Sequence, residues 1–288
     1  MKVIKIIGLS LGVVVALAAL FYAYASYRVD QRLARWYDIS VEKLPITNDS
    51  AAIARGGHLV DIKGCRDCHG ENLGGHVFAD DALVGLLAGP NLTHGDGGLP
   101  GNFGTGNWIK AISHGLNSQG YPLMVMPSLE TSKMSEEDLK DMIAYLETLS
   151  PVDNHVPESK LGIMIKALTF LGQLEIIPAE QIDHQAPLVK QVDTTSPEAF
   201  GGYLSTMCSG CHRADMKGGA AMAPGFPPVP DLTSTGAVGR WSLQQFSAAL
   251  RTGRRPDGTL LDPNMPVQMT KHYSDAELKA LYTYLKAL

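Results

Sequence analysis

The chain has few cysteines, few charges and almost no strand-forming pattern. Only four cysteines occur in 288 residues, charged residues make up 18%, and the formal net charge is −5. Runs of alternating β-branched residues are nearly absent, which predicts an all-α fold. A modest negative charge gives no indication of nucleic-acid binding. No group of residues implies a catalytic acid, base or nucleophile.

All four cysteines stand in two copies of the frame Cys-x-x-Cys-His. The frames consist of Cys65, Cys68 and His69, and of Cys208, Cys211 and His212. Two thiols three positions apart can add to the two vinyl groups of one haem, and the imidazole that follows can bind the iron. The sequence therefore predicts two covalently bound haem c groups, with His69 and His212 as iron ligands.

Two other kinds of site use the same cysteine spacing. A zinc site of four cysteines would not need the two histidines. A redox-active dithiol lies at a strand-to-helix turn, whereas both frames here have glycine-rich surroundings that are poor in strand formers. The haem interpretation is favoured over both.

The rest of the chain also repeats. Met265-Pro266 follows Met126-Pro127 at an offset of 139 residues (265 − 126), and both pairs precede a Ser-x-x-Asp/Glu-Leu-Lys segment. Ser135 and Ser274 open these segments and are expected to cap helices with apolar residues at three- and four-residue steps. Asp138 and Glu277, three positions further on, are expected to complete capping boxes. The chain is therefore a tandem duplication of one small unit.

The repeat divides the chain into five segments. The units cover residues 51–150 and 196–288, and residues 151–195 link them. Residues 1–27 form an apolar N-terminal segment, and residues 28–50 form a stalk. Part of the linker, residues 160–168, is apolar enough to pack across the two units or onto a partner.

The two units resemble class I cytochrome c domains. More narrowly, Pro90-Asn91-Leu92-Thr93, Arg251 to Gly258 and the two Met-Pro pairs resemble segments of the cytochrome subunits of periplasmic alcohol, aldehyde or gluconate dehydrogenases. Those subunits often carry three haems, whereas this chain has two attachment frames. The resemblance implies that the carbonyls of Pro90 and Pro230 accept a hydrogen bond from the proximal histidines.

Met126 and Met265 are the predicted distal iron ligands. They occupy equivalent places in both units, and a methionine before proline suits a ligand loop better than a core. Competing candidates are Met124, Met134, Met222 and Met269, and His114 and His272. Trp108 and Trp241 are predicted to lie at the haem edge, where the indole N–H meets a propionate, or else in the core.

Residues 6–25 carry no charge, and about 20 apolar residues suffice to cross a bilayer. Ala23-Tyr24-Ala25 resembles a signal-peptidase site, but typical signal cores have only about 7–15 apolar residues, so an uncleaved anchor is favoured. Because c-type haem is attached after export, both units are expected in the periplasm of a bacterium, tethered to the inner membrane.

The predicted function is transfer of single electrons. The donor is expected to be a periplasmic dehydrogenase or a quinol-oxidising complex, and the acceptor an oxidase or a soluble cytochrome. Residues 51–150 carry 6 Lys/Arg and 12 Asp/Glu (6 − 12 = −6), while residues 196–288 carry 9 and 7 (9 − 7 = +2). We expect the two units to face different partners. The alternatives are a dihaem enzyme such as a peroxidase, or a fixed haem subunit of a respiratory complex.

Overall fold

The computed structural model describes residues 2–42, 44–221 and 226–288, and this part of the chain is mostly helical. Before residue 196 the helices are α1 (Lys2–Leu33), α2 (Ser50–Ile62), α3 (Cys65–His69), α4 (Thr105–His114), α5 (Ser128–Thr131), α6 (Glu136–Leu146) and α7 (Ile163–Phe170). Those of the second half are α8 (Pro197–Leu204), α9 (Ser209–His212), α10 (Ala237–Arg240), α11 (Leu243–Thr252), α12 (Val267–Thr270) and α13 (Asp275–Ala287). Short 3-10 turns lie at Pro178–Glu180 and Ser205–Cys208.

In each half, residues 50–150 and 196–288, the first helix packs on the last one. α2 packs on α6, and α8 packs on α13. The predicted apolar stripes face these crossings, because Leu139, Ile143 and Leu278 are fully buried. The helices touch at Gly56 and Gly201, where an added methyl group would overlap a backbone carbonyl of the crossing helix. Close approach of two backbones explains why glycine stands at both positions.

The predicted helix caps are present. Ser135 Oγ accepts a hydrogen bond from the Asp138 N–H at 3.2 Å, and Ser274 Oγ accepts one from the Glu277 N–H at 3.3 Å. Glu277 also accepts a bond from the Ser274 N–H, which completes a capping box at the start of α13. Asp138 instead accepts a bond from Tyr203, so the capping box predicted for α6 is not formed as a pair.

A small antiparallel sheet corrects the prediction of an all-α fold. It consists of β1 (His76–Asp81), β2 (Gly85–Gly89) and β3 (Lys160–Leu161), in that order. Asp81 Oδ1 accepts bonds from the backbone N–H groups of Leu83 and Val84 and so closes the turn between β1 and β2. The strands are short, and β3 comes from a distant segment, so the sequence has no alternating pattern that would predict them.

The two halves contact each other through equivalent positions. His58 Nε2 of α2 lies 2.8 Å from Glu277 Oε1 of α13. The hydroxyl of Tyr203, which occupies the matching place in α8, donates to Asp138 Oδ2 of α6 at 2.6 Å. Each half thus bonds to the third residue of the helix that ends the other half, α6 or α13. Such reciprocal contacts are typical of a two-fold symmetric interface.

The Cys-x-x-Cys-His turns also lie at this interface. A methyl group on Gly64, beside Cys65, would lie 3.2 Å from Met269 Sδ of α12. One on Gly210, between Cys208 and Cys211, would lie 2.9 Å from Glu130 Oε1 of α5. Lys63 is buried here, with its ammonium group 4.9 Å from the centre of the Tyr203 ring. Burial lowers the pKa of Lys63, although Asp138 opposes the effect.

The N-terminal helix is longer than the predicted anchor. α1 ends at Leu33 and so continues six residues beyond position 27. Its length and apolar composition suffice for a membrane span, which is also true of some signal sequences. α7, within the predicted linker, packs on α1. The sequence offered two surfaces for this apolar segment, the two units or a partner, and did not consider α1, on which it packs.

Candidate functional site

Each proximal histidine closes a short helix and is held by a proline carbonyl. His69 Nδ1 lies 2.8 Å from the Pro90 oxygen, and His212 Nδ1 lies 2.9 Å from the Pro230 oxygen. The predicted hydrogen bond is therefore present in both halves. A carbonyl only accepts, so Nδ1 carries the proton and Nε2 keeps a lone pair for a metal. Burial lowers the pKa of both imidazoles despite the bond to proline, which favours the neutral form.

The cysteine thiols are weakly acidic, although Cys211 is exposed and the other three are half-buried. Burial raises the pKa of Cys65 to about 12 and that of Cys208 to about 11. It also raises the pKa values of Cys68 and Cys211. A redox-active dithiol requires a lowered pKa, because the thiolate is the nucleophile. The environment therefore disfavours the dithiol interpretation.

The second half contains an apolar cavity of about 550 Å³ at its Cys-x-x-Cys-His frame. This volume is in the range of ligand sites, about 300–1,000 Å³. His212 and Met265 both line it, together with Cys208, Cys211, Pro230, Trp241, Phe246 and Tyr273. Imidazole, thioether and two thiols thus surround one apolar space.

The two methionine loops have the same local structure. Met126 and Met265 each precede a proline that starts a four-residue helix, α5 or α12. In both loops the methionine carbonyl accepts a bond at 2.8 Å from the N–H two residues later. Both methionines are half-buried and pack against the core. The structure thus presents them equivalently, and their role as ligands stays a prediction.

Met124 is half-buried two residues before Met126, and the other competing candidates are buried in the core, paired with another side chain, exposed on the surface or outside the described residues. Met134 and Met269 are core residues, exposed by only 1% and 6%. His114 Nδ1 lies 3.1 Å from His184 Nδ1, and burial followed by the repulsion of His184 lowers the pKa of His114 to about 4. His272 is exposed on the surface. Met222 falls within residues 222–225, outside the described part of the chain.

The two tryptophans are not structural equivalents, although the repeat predicts that they are. Trp108 lies inside α4, is 4% exposed and packs edge-on against Phe103. Trp241 precedes α11 and lines the cavity, and Phe246, 3% exposed, takes the place in α11 that Trp108 has in α4. Matching residues by identity rather than by helix position caused the error.

Tyr273 is a cavity residue that the sequence reasoning missed. It is 2% exposed and lines the cavity beside Met265, and burial holds its pKa well above the usual range. Its counterpart at an offset of 139 residues is Met134 (273 − 134). The change from methionine in the first unit to tyrosine in the second was the sequence feature that could have indicated a different role for this position.

The side chains around the cavity fit a covalently held haem. The thiols suit the two vinyl groups, the imidazole Nε2 and the thioether suit the iron, and the apolar lining suits the macrocycle. The first half has the same donor set, Cys65, Cys68, His69 and Met126, on equivalent elements.

Comparison with known proteins gives one family and several relatives. The family model for cytochrome c matches residues 53–150 and 202–288. The chain is 25% identical over 272 residues to the cytochrome c subunit of an alcohol dehydrogenase (quinone) from Gluconobacter oxydans, covering 83% of this chain and 55% of that protein. It is 24% identical over 271 residues to the gluconate 2-dehydrogenase cytochrome c subunit of Pantoea cypripedii, covering 83% and 60%.

A third cytochrome subunit matches a shorter part of this chain. Over 97 residues the chain is 34% identical to the fructose dehydrogenase cytochrome subunit of Gluconobacter japonicus, covering 30% of this chain and 20% of that protein. The chain thus spans little more than half the length of the two relatives that it matches most extensively. The resemblance drawn from the sequence is confirmed, and the relatives are electron-transfer components rather than catalytic subunits.

Proposed function

Because the chain belongs to the cytochrome c family, we propose that it binds two haem c groups and carries single electrons between a dehydrogenase and a terminal acceptor. The observation that supports this most directly is the matched pair of histidine–proline hydrogen bonds, 2.8 and 2.9 Å long. One such site would suit any monohaem cytochrome, whereas two suit a chain that holds two carriers at a fixed separation.

The site residues take equivalent roles in both halves. Cys65 and Cys68, and Cys208 and Cys211, attach the haems. His69 and His212 are the proximal ligands, with Pro90 and Pro230 fixing the ring orientation, and Met126 and Met265 are the distal ligands. Trp241 lies at the haem edge, and Trp108 supports the first site from the core.

When bound, haem supplies a one-electron couple, and the chain supplies its surroundings. The proline carbonyl holds each imidazole in one tautomer, so the ligand does not turn away. A methionine loop fixed by a backbone hydrogen bond at 2.8 Å favours one ligand position in both oxidation states. Apolar residues such as Phe246 and Leu250 exclude water from the second site, which together with a thioether ligand raises the potential.

We further propose two tandem class I cytochrome c domains, residues 51–150 and 196–288, behind a membrane anchor within residues 1–27. Residues 28–50 and 151–195 are the stalk and the linker. The exposed apolar side chains of α1 support the anchor, since Leu9, Leu17 and Leu20 are each more than 60% exposed. Both domains would then face the periplasm from the bacterial inner membrane.

The relatives' names support a dehydrogenase as the electron donor, and a quinol-oxidising complex is the other candidate. An oxidase or a soluble cytochrome would be the acceptor. A dihaem peroxidase needs one iron whose distal ligand is histidine or leaves. Both halves here present methionine, which favours a carrier over that enzyme.

The acidic first half offers one partner surface. Asp80 is exposed on β1, whereas Asp81 closes the β1–β2 turn and Asp96 pairs with His155 at 3.0 Å. Asp80→Asn therefore removes a surface charge without removing a structural contact. If this half faces a partner, the variant should change one association rate at low salt.

The test of the main proposal is a redox titration of the full haem-loaded chain that follows the near-infrared band of methionine-ligated ferric haem. We expect two haems per chain, a band that accounts for both, and no binding of carbon monoxide to the ferrous form. Met126→Leu and Met265→Leu should each remove half of the band. The buried methionines supply matched controls, Met134→Leu and Met269→Leu, which should keep it. A full band in either ligand variant, or one haem per chain, would overturn the assignment.

A further inference from the structure

α7, which lies between the two halves in sequence, packs along the N-terminal helix. Phe170 stacks edge-on against Phe21 and Tyr24 of α1, with ring centres 5.7 and 5.6 Å apart. Lys166 Nζ lies 2.7 Å from Asp30 Oδ1 and 2.9 Å from Ser26 Oγ. α7 therefore lies against the last third of α1, with its C-terminal end toward the apolar run.

The contact with Phe21 sets the depth of α7 along α1. Phe21 and Tyr24 lie inside the uncharged run 6–25, and the first charge beyond that run is Arg28. At about 1.5 Å of rise per residue, Phe21 lies roughly 10 Å from Arg28 along the helix axis. If Arg28 marks the level of the headgroups, the ring of Phe170 lies at the edge of the hydrocarbon.

The side of α7 that faces away from α1 is apolar. Ile163 is 54% exposed and Leu171, directly after the helix, is 53% exposed. Lys166 is the only charged residue of α7, and its side chain is 16% exposed because it turns inward to Asp30. The outer face therefore presents apolar side chains to whatever surrounds the end of α1.

α7 is also tied to the first half of the molecule. The Met164 N–H donates to the Leu83 oxygen at 3.0 Å. β3, immediately before α7, pairs with β2, the strand that leads to Pro90. If α7 lies on a surface, the first candidate haem site is therefore held at a fixed distance from that surface.

We propose that α7 is an interfacial membrane helix that inserts Phe170 and Leu171 into the lipid headgroup region beside α1. This inference rests on the proposed anchor, because only a membrane-spanning α1 brings the bilayer to the level of Phe21. The occupant is lipid rather than a protein partner, since the exposed apolar side chains of α7 adjoin those of α1 and the charges at this contact are paired, Lys166 with Asp30 and Arg32 with Glu180. Interfacial burial of such helices depends on apolar area at the boundary between headgroups and acyl chains.

The consequence is a two-point attachment. A single helix would let the periplasmic part swing about the stalk, whereas a second contact fixes its rotation about α1. The first half would then stay next to the bilayer, and the second half would face away from it. Such an arrangement suits a carrier that exchanges electrons with a membrane-bound protein on one side and a soluble one on the other.

The test is photo-crosslinking of the full haem-loaded chain in phospholipid nanodiscs. A diazirine amino acid replaces Leu171 in one variant, Leu17 within α1 in a second, and Val189, which is 62% exposed and distant in sequence from α1 and α7, in a third. Lipid adducts are counted by mass spectrometry after irradiation. We expect adducts at positions 17 and 171 and none at position 189.

The three positions separate the two proposals. Adducts at position 17 without any at position 171 would overturn the interfacial role of α7 and leave the anchor standing. Adducts at neither position would overturn the anchor and, with it, the role of α7. Equal labelling at positions 171 and 189 would show unspecific contact with lipid and would also overturn the inference.

Discussion

Replacing the glycine at either helix crossing should separate the two helices of that half. In Gly56→Ala the new methyl group would overlap the Asp141 carbonyl oxygen and lie 2.9 Å from Tyr145 Cβ. In Gly201→Ala it would overlap the Ala280 carbonyl oxygen. A backbone atom cannot rotate away, so relief requires that α6 or α13 moves as a body.

The magnitude follows from two opposing effects. Alanine inside a helix is favoured over glycine by roughly 0.5–1 kcal/mol. Overpacking a close-packed contact costs about 1–3 kcal/mol, and the upper part of that range applies where the neighbour is backbone. We therefore expect a net loss of about 2 kcal/mol. For a domain of about 100 residues this lowers the unfolding temperature by roughly 10 °C.

The neighbouring glycines are matched controls. A methyl group on Gly57 meets only the ring edge of Tyr145 at 3.1 Å, and one on Gly202 meets the ring of Tyr284 at 3.2 Å. These side chains can shift, so Gly57→Ala should be neutral or slightly stabilising. Denaturant unfolding of the haem-loaded chain, followed by far-ultraviolet circular dichroism, measures the difference. Equal stability of Gly56→Ala and Gly57→Ala would refute the close crossing.

Three further predictions concern the contacts between the halves and the closing helix. The hydrogen bond to Glu277 raises the pKa of His58, and the pKa of Glu277 is lowered because bonds from His58 and Ser274 outweigh its burial. The ion pair of His58 and Glu277 therefore contributes about 0.5 kcal/mol to the free energy of unfolding. This contribution is complete between pH 4.5 and 6.5, the ordinary pKa values of the two groups, and it is lost as the pH rises through the raised pKa that His58 has in the folded protein. Unfolding of the wild type and His58→Ala at pH 5.5 and 8.5 should differ only at the lower pH. Tyr203→Phe removes the equivalent bond of the other half and should cost about 1–2 kcal/mol at both pH values, so a pH-dependent loss would contradict the assignment. Ser274→Ala should cost about 1 kcal/mol in denaturant unfolding, and an unchanged midpoint would show that the capping box contributes nothing.

The sequence predicted the local features of the sites more successfully than their surroundings. The histidine–proline bonds and the caps at Ser135 and Ser274 depend on short segments, and both are present. The sheet was missed because β3 has two residues and pairs with a strand about 70 positions earlier. The packing of α7 on α1 was not predicted, because the apolar composition of α7 does not say which surface it covers.

The contacts between the two halves could not be predicted from residue identity. Tyr203 and His58 occupy equivalent places, yet they differ in chemistry, and only the structure shows that both reach a carboxylate of the other half. Likewise, Phe246 replaces Trp108 in the same helical position. A duplicated unit conserves positions better than residue types, so matching letters finds the repeat but misassigns some of its members.

The reciprocal contacts between the halves have the form of a two-fold dimer whose subunits are joined in one chain. Joining two modules turns their association into an intramolecular event. Dilution therefore does not separate the two halves, even where the contact would be too weak to hold two separate molecules together. The two copies of each contact have also been free to diverge, so one side has a tyrosine whose pKa is raised by burial, whereas the other has a histidine whose pKa is raised by its hydrogen bond to Glu277.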